Sequence, residues 1–381
     1  MPIVNRSRGV RALAALGGGG VVAAGLVVAA VPAQAAALSC GTVIRASVTL
    51  TANVNCATNP DDDAITIGAS GITINLNGHK ILGPGDANIT VGIGDSGYHN
   101  VTIESGTIAN FYAGMNVNGQ SGNLVTGLRI KNVTITENTL GDEDYGVFAN
   151  FMRGANMTGL TIKNANYGVY LVDSEHNTLT DSTLASPITG IWDQRGTGNT
   201  WSHDTMSNVN YTGIWEYGST GASITANTIH GIGATGIYDE ESVSCSITGN
   251  TLTGLYTGID TDYDKSTTVR ANIGSGDAYG MYTDAALDGT YIGNVFSGDQ
   301  YGFQDNNPYD DTLKSNTTDG NAEAGIWITA SGVLNSFAAT LVGNTADKNQ
   351  FGMYSEIHTK GTGNHAVGNT VVNCRNVSCV K

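Results

Sequence analysis

Residues 212–241 read TGIWEYGSTGASITANTIHGIGATGIYDEE, and one phrase both opens and closes this stretch. A Thr-Gly-Ile triplet, which contains Gly213 in the first copy and Gly236 in the second, is followed each time by an aromatic residue and then by an acid. Residues 223–226, 227–229 and 236–238 read as short strands separated by turn residues. The stretch therefore predicts a repeating unit of three short strands.

The same unit recurs along most of the chain, as a glycine followed by an apolar residue. Most successive glycines are about 22 residues apart, and self-similarity at such a period indicates stacked units. Longer intervals precede Gly146 and Gly352. The repeated glycines are Gly71, Gly92, Gly114, Gly146, Gly168, Gly190, Gly213, Gly236, Gly258, Gly280, Gly302, Gly325 and Gly352.

The composition decides which stacked unit this is. The chain has 52 glycines and only 6 prolines, and helix-forming runs are missing after residue 40. This favours short strands over helices and argues against ankyrin and tetratricopeptide units, while leucine-rich repeats need denser leucines. We predict an all-β, right-handed parallel β-helix of about 12–13 coils of 22–23 residues, stacked about 4.8 Å apart.

A second register of polar residues supports this prediction. Asparagine recurs with the same period from Asn227 to Asn316, and Ser182 and Asp204 extend the register toward the N terminus. Stacked asparagines bond their amides to the copies above and below, and asparagine tolerates turn conformations. We expect an internal ladder here rather than a row of ligands.

The first 35 residues differ from the rest. Three arginines precede an apolar run that ends at Ala33-Gln34-Ala35, which is typical of a secretory signal peptide at 1–35. A membrane anchor or a lipoprotein signal ahead of Cys40 are the alternatives. We therefore expect a secreted, extracellular protein, with an N-terminal cap at 36–64 and the β-helix at 65–381.

The cysteines fit an exported chain. Cys40 and Cys56 flank the first strand-like segment, and Cys374 and Cys379 lie at the last turn. We predict two local disulfides, one of which closes a C-terminal cap, with Cys245 left as a buried thiol.

The Gly-Ile-aromatic units, with Asn-Thr-Ile between them, resemble the repeats of the pectate-lyase-like superfamily. Residues 72–81, ITINLNGHKI, are similar to the first coil of secreted bacterial β-helix proteins of the NosD-like group. The resemblance covers about residues 65 to 375. It implies the parallel β-helix fold, and it leaves activity open because the superfamily contains lyases, hydrolases, epimerases and proteins without catalysis.

Alternation along a strand predicts which residues face outward. If the residue after each glycine points inward, the glycine and the aromatic two places after it point outward, and the residue before the glycine points inward. An exposed column of rings over a shallow glycine floor suits the apolar faces of sugars, whereas ring stacking along the sheet is the structural alternative. The predicted substrate-binding residues are Tyr170, Trp192, Trp215, Tyr238 and Tyr282.

Acids follow these rings in the centre of the column. Carboxylates one or two coils apart would bracket the separations used by glycosidases, about 5–5.5 Å and 6.5–9.5 Å. Arg195 is the expected electrostatic helper, and a solvated acidic surface is the alternative. The catalytic candidates are Asp193, Arg195, Glu216, Asp239 and Asp260.

Charge limits the partners. Removing the signal takes away three arginines and no acid, so the formal net charge of −16 becomes −19, which disfavours nucleic acid and anionic lipid. Carboxylate catalysis requires no cofactor, although the alternate carboxylates of Asp260, Asp262 and Asp264 are a candidate calcium site. The Met and His clusters of a copper site are absent from the sequence. We expect a monomer that binds a polysaccharide, without a nucleic-acid or membrane partner.

The functional hypothesis is a secreted carbohydrate-active protein that binds, and as an enzyme cleaves, an extracellular polysaccharide. Residues 257–262, TGIDTD, resemble the catalytic strand of alginate epimerases at the aspartate but lack its proline and histidine. A polysaccharide hydrolase or lyase is therefore the expected enzyme class. A structural or surface-binding β-helix without catalysis is the competing class.

Overall fold

A computed structural model describes residues 34–56, 63–85, 90–137, 144–330 and 339–380. It has no helix in these residues, and strands form a parallel solenoid of about 13 turns, which confirms the predicted right-handed β-helix. The predicted signal peptide lies outside the described residues except for Gln34 and Ala35. These two belong to a strand that pairs with Val48–Leu50. In the described part of the chain, no helix is long and apolar enough to cross a bilayer.

Fifteen strands, here called the front sheet, form one wall of the solenoid. They are Thr42–Ile44, Ile65–Ile67, Val91–Asp95, Ala113–Asn118, Tyr145–Asn150, Tyr167–Val172, Thr189–Gln194, Thr212–Tyr217, Thr235–Glu240, Thr257–Asp262, Tyr279–Asp284, Tyr301–Asn306, Ala324–Thr329, Phe351–Ser355 and Val372–Arg375. Each strand pairs in parallel with the strand one coil away, so equivalent positions of successive repeats become vertical neighbours.

A second sheet of 23 strands, here called the back sheet, has two arms, which are joined because Thr102–Ala109 and Arg129–Thr136 run through both. The first arm continues with Gln34–Ala36, Val48–Leu50, Thr73–Asn75, Asn156–Thr158, Thr178–Thr180, Thr200–Ser202, Ser223–Thr225, Ser246–Thr248, Thr268–Arg270, Thr290–Ile292, Thr312–Lys314 and Thr340–Val342. The second arm continues with Val54–Asn55, Lys80–Leu82, Thr161–Lys163, Thr183–Ala185, Thr205–Val209, Thr228–Gly231, Thr251–Thr253, Ile273–Ser275 and Val295–Phe296.

Two further pairs are separate from these sheets. They join Val125–Thr126 to Met152–Arg153, and Asn364–His365 to Cys379–Val380.

The predicted asparagine ladder is present and buried at the turn after the first arm of the back sheet. Asn250 donates from Nδ2 to Asn272 Oδ1 at 2.9 Å and to the carbonyl of Ile224 at 3.0 Å. The same two bonds recur at Asn272, Asn294 and Asn316, and the ladder continues through Asn344 to Asn364. These bonds satisfy turn carbonyls that water cannot reach, so each coil is held to the next by side chains as well as by backbone.

Both ends carry the predicted disulfides, Cys40–Cys56 and Cys374–Cys379, and Cys245 is a buried free thiol. The segment predicted as the N-terminal cap, 36–64, supplies strands that pair with those of the following coil. Thr42–Ile44 pairs with Ile65–Ile67, and Val48–Leu50 pairs with Thr73–Asn75. Apolar residues at the inward positions of these strands let them stack as an ordinary coil.

Candidate functional site

The glycine of each repeat lies at a bend of the front sheet, and this changes the expected orientation of its neighbours. A Cβ at Gly213 would lie 2.4 Å from the carbonyl oxygen of Gly236, and the same overlap recurs at Gly168 and Gly190. The pairing skips the glycine, so the glycine and the residue after it both face the interior. The predicted exposed floor of glycines is therefore wrong.

The bend also turns the residue before the glycine outward, although the alternation predicted it to be a core residue. These residues are partly exposed, and Tyr167 packs against Trp192 with ring centroids 5.6 Å apart. The corrected positions are Tyr145, Tyr167, Tyr279, Tyr301 and Phe351.

Two columns of partly exposed side chains run along the front sheet. The ring column lies two residues after each glycine and consists of Phe148, Tyr170, Trp192, Trp215, Tyr238, Asp260, Tyr282, Gln304, Trp327 and Tyr354. The acid column lies four residues after each glycine and includes Glu240, Asp262 and Asp284 in successive coils. The five predicted substrate-binding aromatics lie in the ring column, while their binding of a substrate stays a prediction.

Ring stacking dominates the N-terminal half of the ring column. Trp192 stacks on Trp215 at 4.7 Å with an interplanar angle of 4°, and on Tyr170 at 4.4 Å with an angle of 9°. Trp215 in turn stacks on Tyr238 at 5.7 Å. Because these faces cover one another, a ligand lying on this run meets ring edges rather than open platforms.

Three of the predicted catalytic carboxylates do not reach this surface. Asp193, Glu216 and Asp239 each have 0% exposure and lie inside the solenoid. They come one residue after the ring, so the alternation that turns the ring outward turns the acid inward. The expectation that they line an outer groove is therefore wrong.

The interior acids form a line through three coils. Asp193 lies in hydrogen-bond contact with Glu216, and Asp239 lies in contact with Asp264. Burial raises the pKa of Asp193 to about 7 and of Asp264 to about 11, and it raises the pKa of Glu216 well above its usual range. Two carboxyl groups in contact without a cation must share a proton, so each contacting pair of this line keeps at least one proton bound.

Arg195 and the candidate calcium site also differ from expectation. Arg195 lies in a turn and makes an ion pair with Asp173, with its Nε 2.8 Å from Oδ1, so it is not aimed at the interior acids. Asp264 faces the interior, where its Oδ1 accepts from the backbone N–H of Ser242. Asp260 and Asp262 point the other way, and the described residues contain no group of three metal-ligating side chains.

Asp260 interrupts the ring column. Its neighbours in the column are Tyr238 and Tyr282, whose strands lie two spacings apart, or about 9.6 Å. An aspartate therefore separates the two rings in the column, and Tyr282 meets Tyr279 edge to face instead, with ring centroids 5.7 Å apart. Asp260 Oδ1 is buried without a hydrogen-bond partner among the described residues. We call this place the Asp260 gap.

The Asp260 gap contains groups in two protonation states. Burial, followed by the charge of Asp262, raises the pKa of Asp260 well above its usual range. Burial and the charge of Asp284 raise the pKa of Asp262 only to about 6, and Asp262 Oδ2 accepts a 3.3 Å hydrogen bond from the Tyr238 hydroxyl. Of the two acids of the gap, Asp260 is therefore the one whose environment more strongly favours the protonated form.

Sequence reasoning missed Glu240 and Asp284 as members of this site. Trp215 Nε1 donates to Glu240 Oε2 at 3.2 Å, and Asn306 and Asn307 donate to Asp284 Oδ1 at 2.9 and 3.0 Å. Counting two residues past the ring, rather than one, would have found both.

The fold is that of a right-handed parallel β-helix protein. The family profile described as periplasmic copper-binding protein (NosD) matches residues 54–239 and again 197–381. The chain therefore belongs to the NosD family. Sequence comparison with curated proteins finds no match.

Several solved structures share the fold. The A-module of the mannuronan C-5 epimerase AlgE6 from Azotobacter vinelandii has a TM-score of 0.58 and 16% identity, covering 87% of this chain and 91% of that one. The pre-mature gene product 12 of bacteriophage phi29 has a TM-score of 0.61 and 10% identity, covering 88% and 62%. Tailspike protein 3 of bacteriophage CBA120 has a TM-score of 0.52 and 14% identity, covering 91% and 55%. At these identities the likeness shows the fold alone.

Proposed function

We propose that this protein binds a neutral polysaccharide outside the cytoplasm, with the Asp260 gap as its central contact. The observation that carries the proposal is the break in the ring column, where Asp260, whose buried Oδ1 has no hydrogen-bond partner among the described residues, stands between Tyr238 and Tyr282. Apolar faces combined with a few polar groups are the usual composition of small-molecule sites. The mannuronan epimerase that shares the fold acts on a polysaccharide, which supports a glycan as the ligand but not its neutral charge, because mannuronan is a polyuronate.

The charge of the face supports a neutral ligand. Glu240, Asp262 and Asp284 lie in one column, and no ion pair among the described residues neutralises them. A uronate would meet these carboxylates without a counterion. The two disulfides and the periplasmic description of the family support export, and we extend this to the extracellular space.

The same geometry supports cleavage of a glycosidic bond as the finer proposal. Burial raises the pKa of Asp260 well above its usual range, which is the direction that a general acid needs. Asp284 lies on the adjacent strand, two residues beyond Tyr282, the partner of Asp260, and on the same face of the sheet. Inverting glycosidases use a second carboxylate of this kind, roughly 6.5–9.5 Å from the acid, to activate a water. In this proposal Asp260 protonates the leaving oxygen and Asp284 is the base.

The residues that the structure describes do not fit a copper site. In the residues that the structure describes, no three histidine, cysteine or acidic side chains are grouped to hold a metal. The described methionines are fully buried, and so is the one free cysteine. The described residues therefore do not supply the ligands for the copper that the family's description names.

The test uses a panel of neutral polysaccharides and two variants. Tyr282→Ala and Asp260→Asn should each weaken binding by about tenfold or more, equivalent to about 1.4 kcal/mol, while Tyr354→Ala at the far end of the ring column should not. Asp260→Asn should also abolish any release of reducing ends. Equal binding by all four proteins would refute the proposal.

A structural rod is the second candidate, favoured by the mutual stacking of Tyr170, Trp192 and Trp215. For such a rod, Trp192→Ala and Tyr282→Ala would both lower the melting temperature, and the wild-type protein would retain no glycan. In the proposed function, Trp192→Ala lowers stability alone.

A further inference from the structure

A groove of about 460 Å³ opens at the corner where the second arm of the back sheet turns into the front sheet. We call it the corner groove. Its side chains come from three successive coils and include Asn208, Asn210, His230, Ile232 and Thr253. The front-sheet strands of the first two coils carry Trp215 and Tyr238, so the groove lies beside the ring column.

The groove arises because two successive coils are each one residue longer than their neighbours. These are the coils that end at Gly213 and Gly236, whereas the coils that end at Gly190 and Gly258 have the shorter length. From the ladder residue to the glycine there are nine positions after Asp204 and Asn227, but eight after Ser182 and Asn250. The added residue therefore lies at the corner.

The structure accommodates the added residues with a β-bulge. The pairing of Thr205–Val209 with Thr228–Gly231 shifts register between Ser207 and Val209. Bulges re-aim side chains and end pairing. Here the chain beyond the bulge leaves Ile232 95% exposed, the largest exposure among the large apolar side chains of the described residues.

The lining has the chemistry of a sugar site. It combines two carboxamides, an imidazole and a threonine hydroxyl with the apolar surface of Val209 and Ile232. None of its lining residues is an acid or a lysine or arginine, although the chain has a net charge of −16. Its volume lies in the range of about 300–1,000 Å³ that is usual for ligand sites.

An apolar path joins the corner groove to the ring column. Tyr211 is 56% exposed and meets Trp215 edge to face, with centroids 6.2 Å apart. Tyr256, also 56% exposed, lies on the same corner and meets Tyr279 edge to face at 5.7 Å. Exposed rings that connect two recesses suit a ligand that passes through both.

We propose that the corner groove binds further sugar units of the polysaccharide held at the Asp260 gap, so that the glycan crosses the rod instead of running along it. This inference rests on the proposed function. A chain that follows the rod axis would never reach His230 or Ile232, because both lie around the edge of the front sheet.

The experiment compares ligand lengths. Neutral oligosaccharides of two and six sugar units, from the series that the wild-type protein binds, are titrated by calorimetry against Ile232→Asp and His230→Ala. Both variants should weaken binding of the six-unit ligand by about tenfold and leave the two-unit ligand unchanged. Ile273→Asp, an exposed isoleucine of the back sheet, is the matched control and should change neither.

Each outcome decides one of the two proposals. If Tyr282→Ala loses binding and the groove variants bind both lengths as the wild type does, the corner groove is refuted and the Asp260 gap stands. If the wild-type protein binds no neutral glycan of any length, both proposals fail. Melting temperatures close to that of the wild type verify that the variants fold, which the exposure of Ile232 leads us to expect.

Discussion

Trp201 Nε1 donates a hydrogen bond to Glu216 Oε1 inside the solenoid, where both side chains are fully buried. Glu216 stands between Asp193 and Asp239 in the next coils, so an indole is the neutral donor to the middle acid of a buried line. The ion pairs of the described residues do not include these acids. The protein therefore buries acids in its centre without a counter-charge. Bound protons, rather than cations, reduce the negative charge of these acids.

This arrangement predicts that the protein is more stable in acid than at neutral pH. Burial raises the pKa of Asp193, Asp204 and Asp311 to about 7 and of Asp277 to about 8, from 3.8 in the unfolded chain. Between these values the folded chain holds protons that the unfolded chain has released, so stability falls as pH rises. The contribution is complete below about pH 4 and lost by about pH 8.

Thermal melts at pH 4.5, 6, 7.5 and 9 measure this dependence. We expect the melting temperature to fall steadily from pH 4.5 to pH 9. A melting temperature that rises between pH 4.5 and 7.5 would contradict the assignment of neutral interior acids.

A second prediction concerns an aspartate that takes an asparagine's place. Asp277 Oδ1 accepts from the Leu255 N–H at 2.7 Å, but its Oδ2 has no partner among the described residues. Asp277 belongs to a second column of turn residues, in which its N–H donates to Asp299 Oδ1 and the N–H of Asp299 donates to Asn321 Oδ1. In this column Asn321 also donates from Nδ2 to the Phe296 carbonyl at 3.2 Å. Asp277→Asn should therefore add a donor without adding charge.

We expect Asp277→Asn to stabilise the protein by about 1–3 kcal/mol at pH 8, the usual cost of an unsatisfied buried group. The gain should shrink at pH 4.5, where the acid is protonated and can donate. Asp288→Asn, on an exposed turn, controls for the change in net charge. Equal gains at both pH values would show that ionisation is not the cause.

A third prediction concerns the asparagine ladder. Asn250→Ala removes two donated hydrogen bonds and two accepted ones, from the N–H and from Nδ2 of Asn227. We expect a loss of about 3 kcal/mol or more, because each orphaned buried group costs about 1–3 kcal/mol. Chemical denaturation of this variant beside Asn123→Ala, an exposed asparagine, would measure the difference. Similar midpoints for the two variants would contradict a structural role for the ladder.

A fourth prediction concerns metal. Addition of Cu²⁺, or of Cu⁺ under reducing conditions, should leave the melting temperature unchanged, because the described residues offer no grouped ligands. Equilibrium dialysis with metal analysis checks this directly. Retention of one copper ion per chain after dialysis would overturn the conclusion that copper does not fit.

The architecture was predictable because every coil repeats the same pattern of glycine, apolar and asparagine positions. The spacing of Gly213 and Gly236 predicts the stacking, and the register through Asn227 and Asn250 predicts the ladder. The paired cysteines at each end predict both disulfides.

The site was harder to predict because it depends on where the alternation breaks. Alternation with a period of two residues gives the wrong orientation for Gly213 and Tyr167. It does not include the bend that the glycine makes against the next coil. Glu216 was misplaced for a different reason. An acid that follows an exposed tryptophan looks exposed, and its burial becomes evident only when Trp201 is seen to supply its hydrogen bond.

The constant spacing of the ladder makes the protein modular. Deleting residues 250–271 removes one complete turn and places Asn272 where Asn250 had been, above Asn227, with its onward bond to Asn294 unchanged. The excised turn contains Asp260 and Asp262. In the shortened rod Tyr238 and Tyr282 would become vertical neighbours and stack. A single in-register deletion would therefore remove the Asp260 gap and leave the coils on either side of it unchanged.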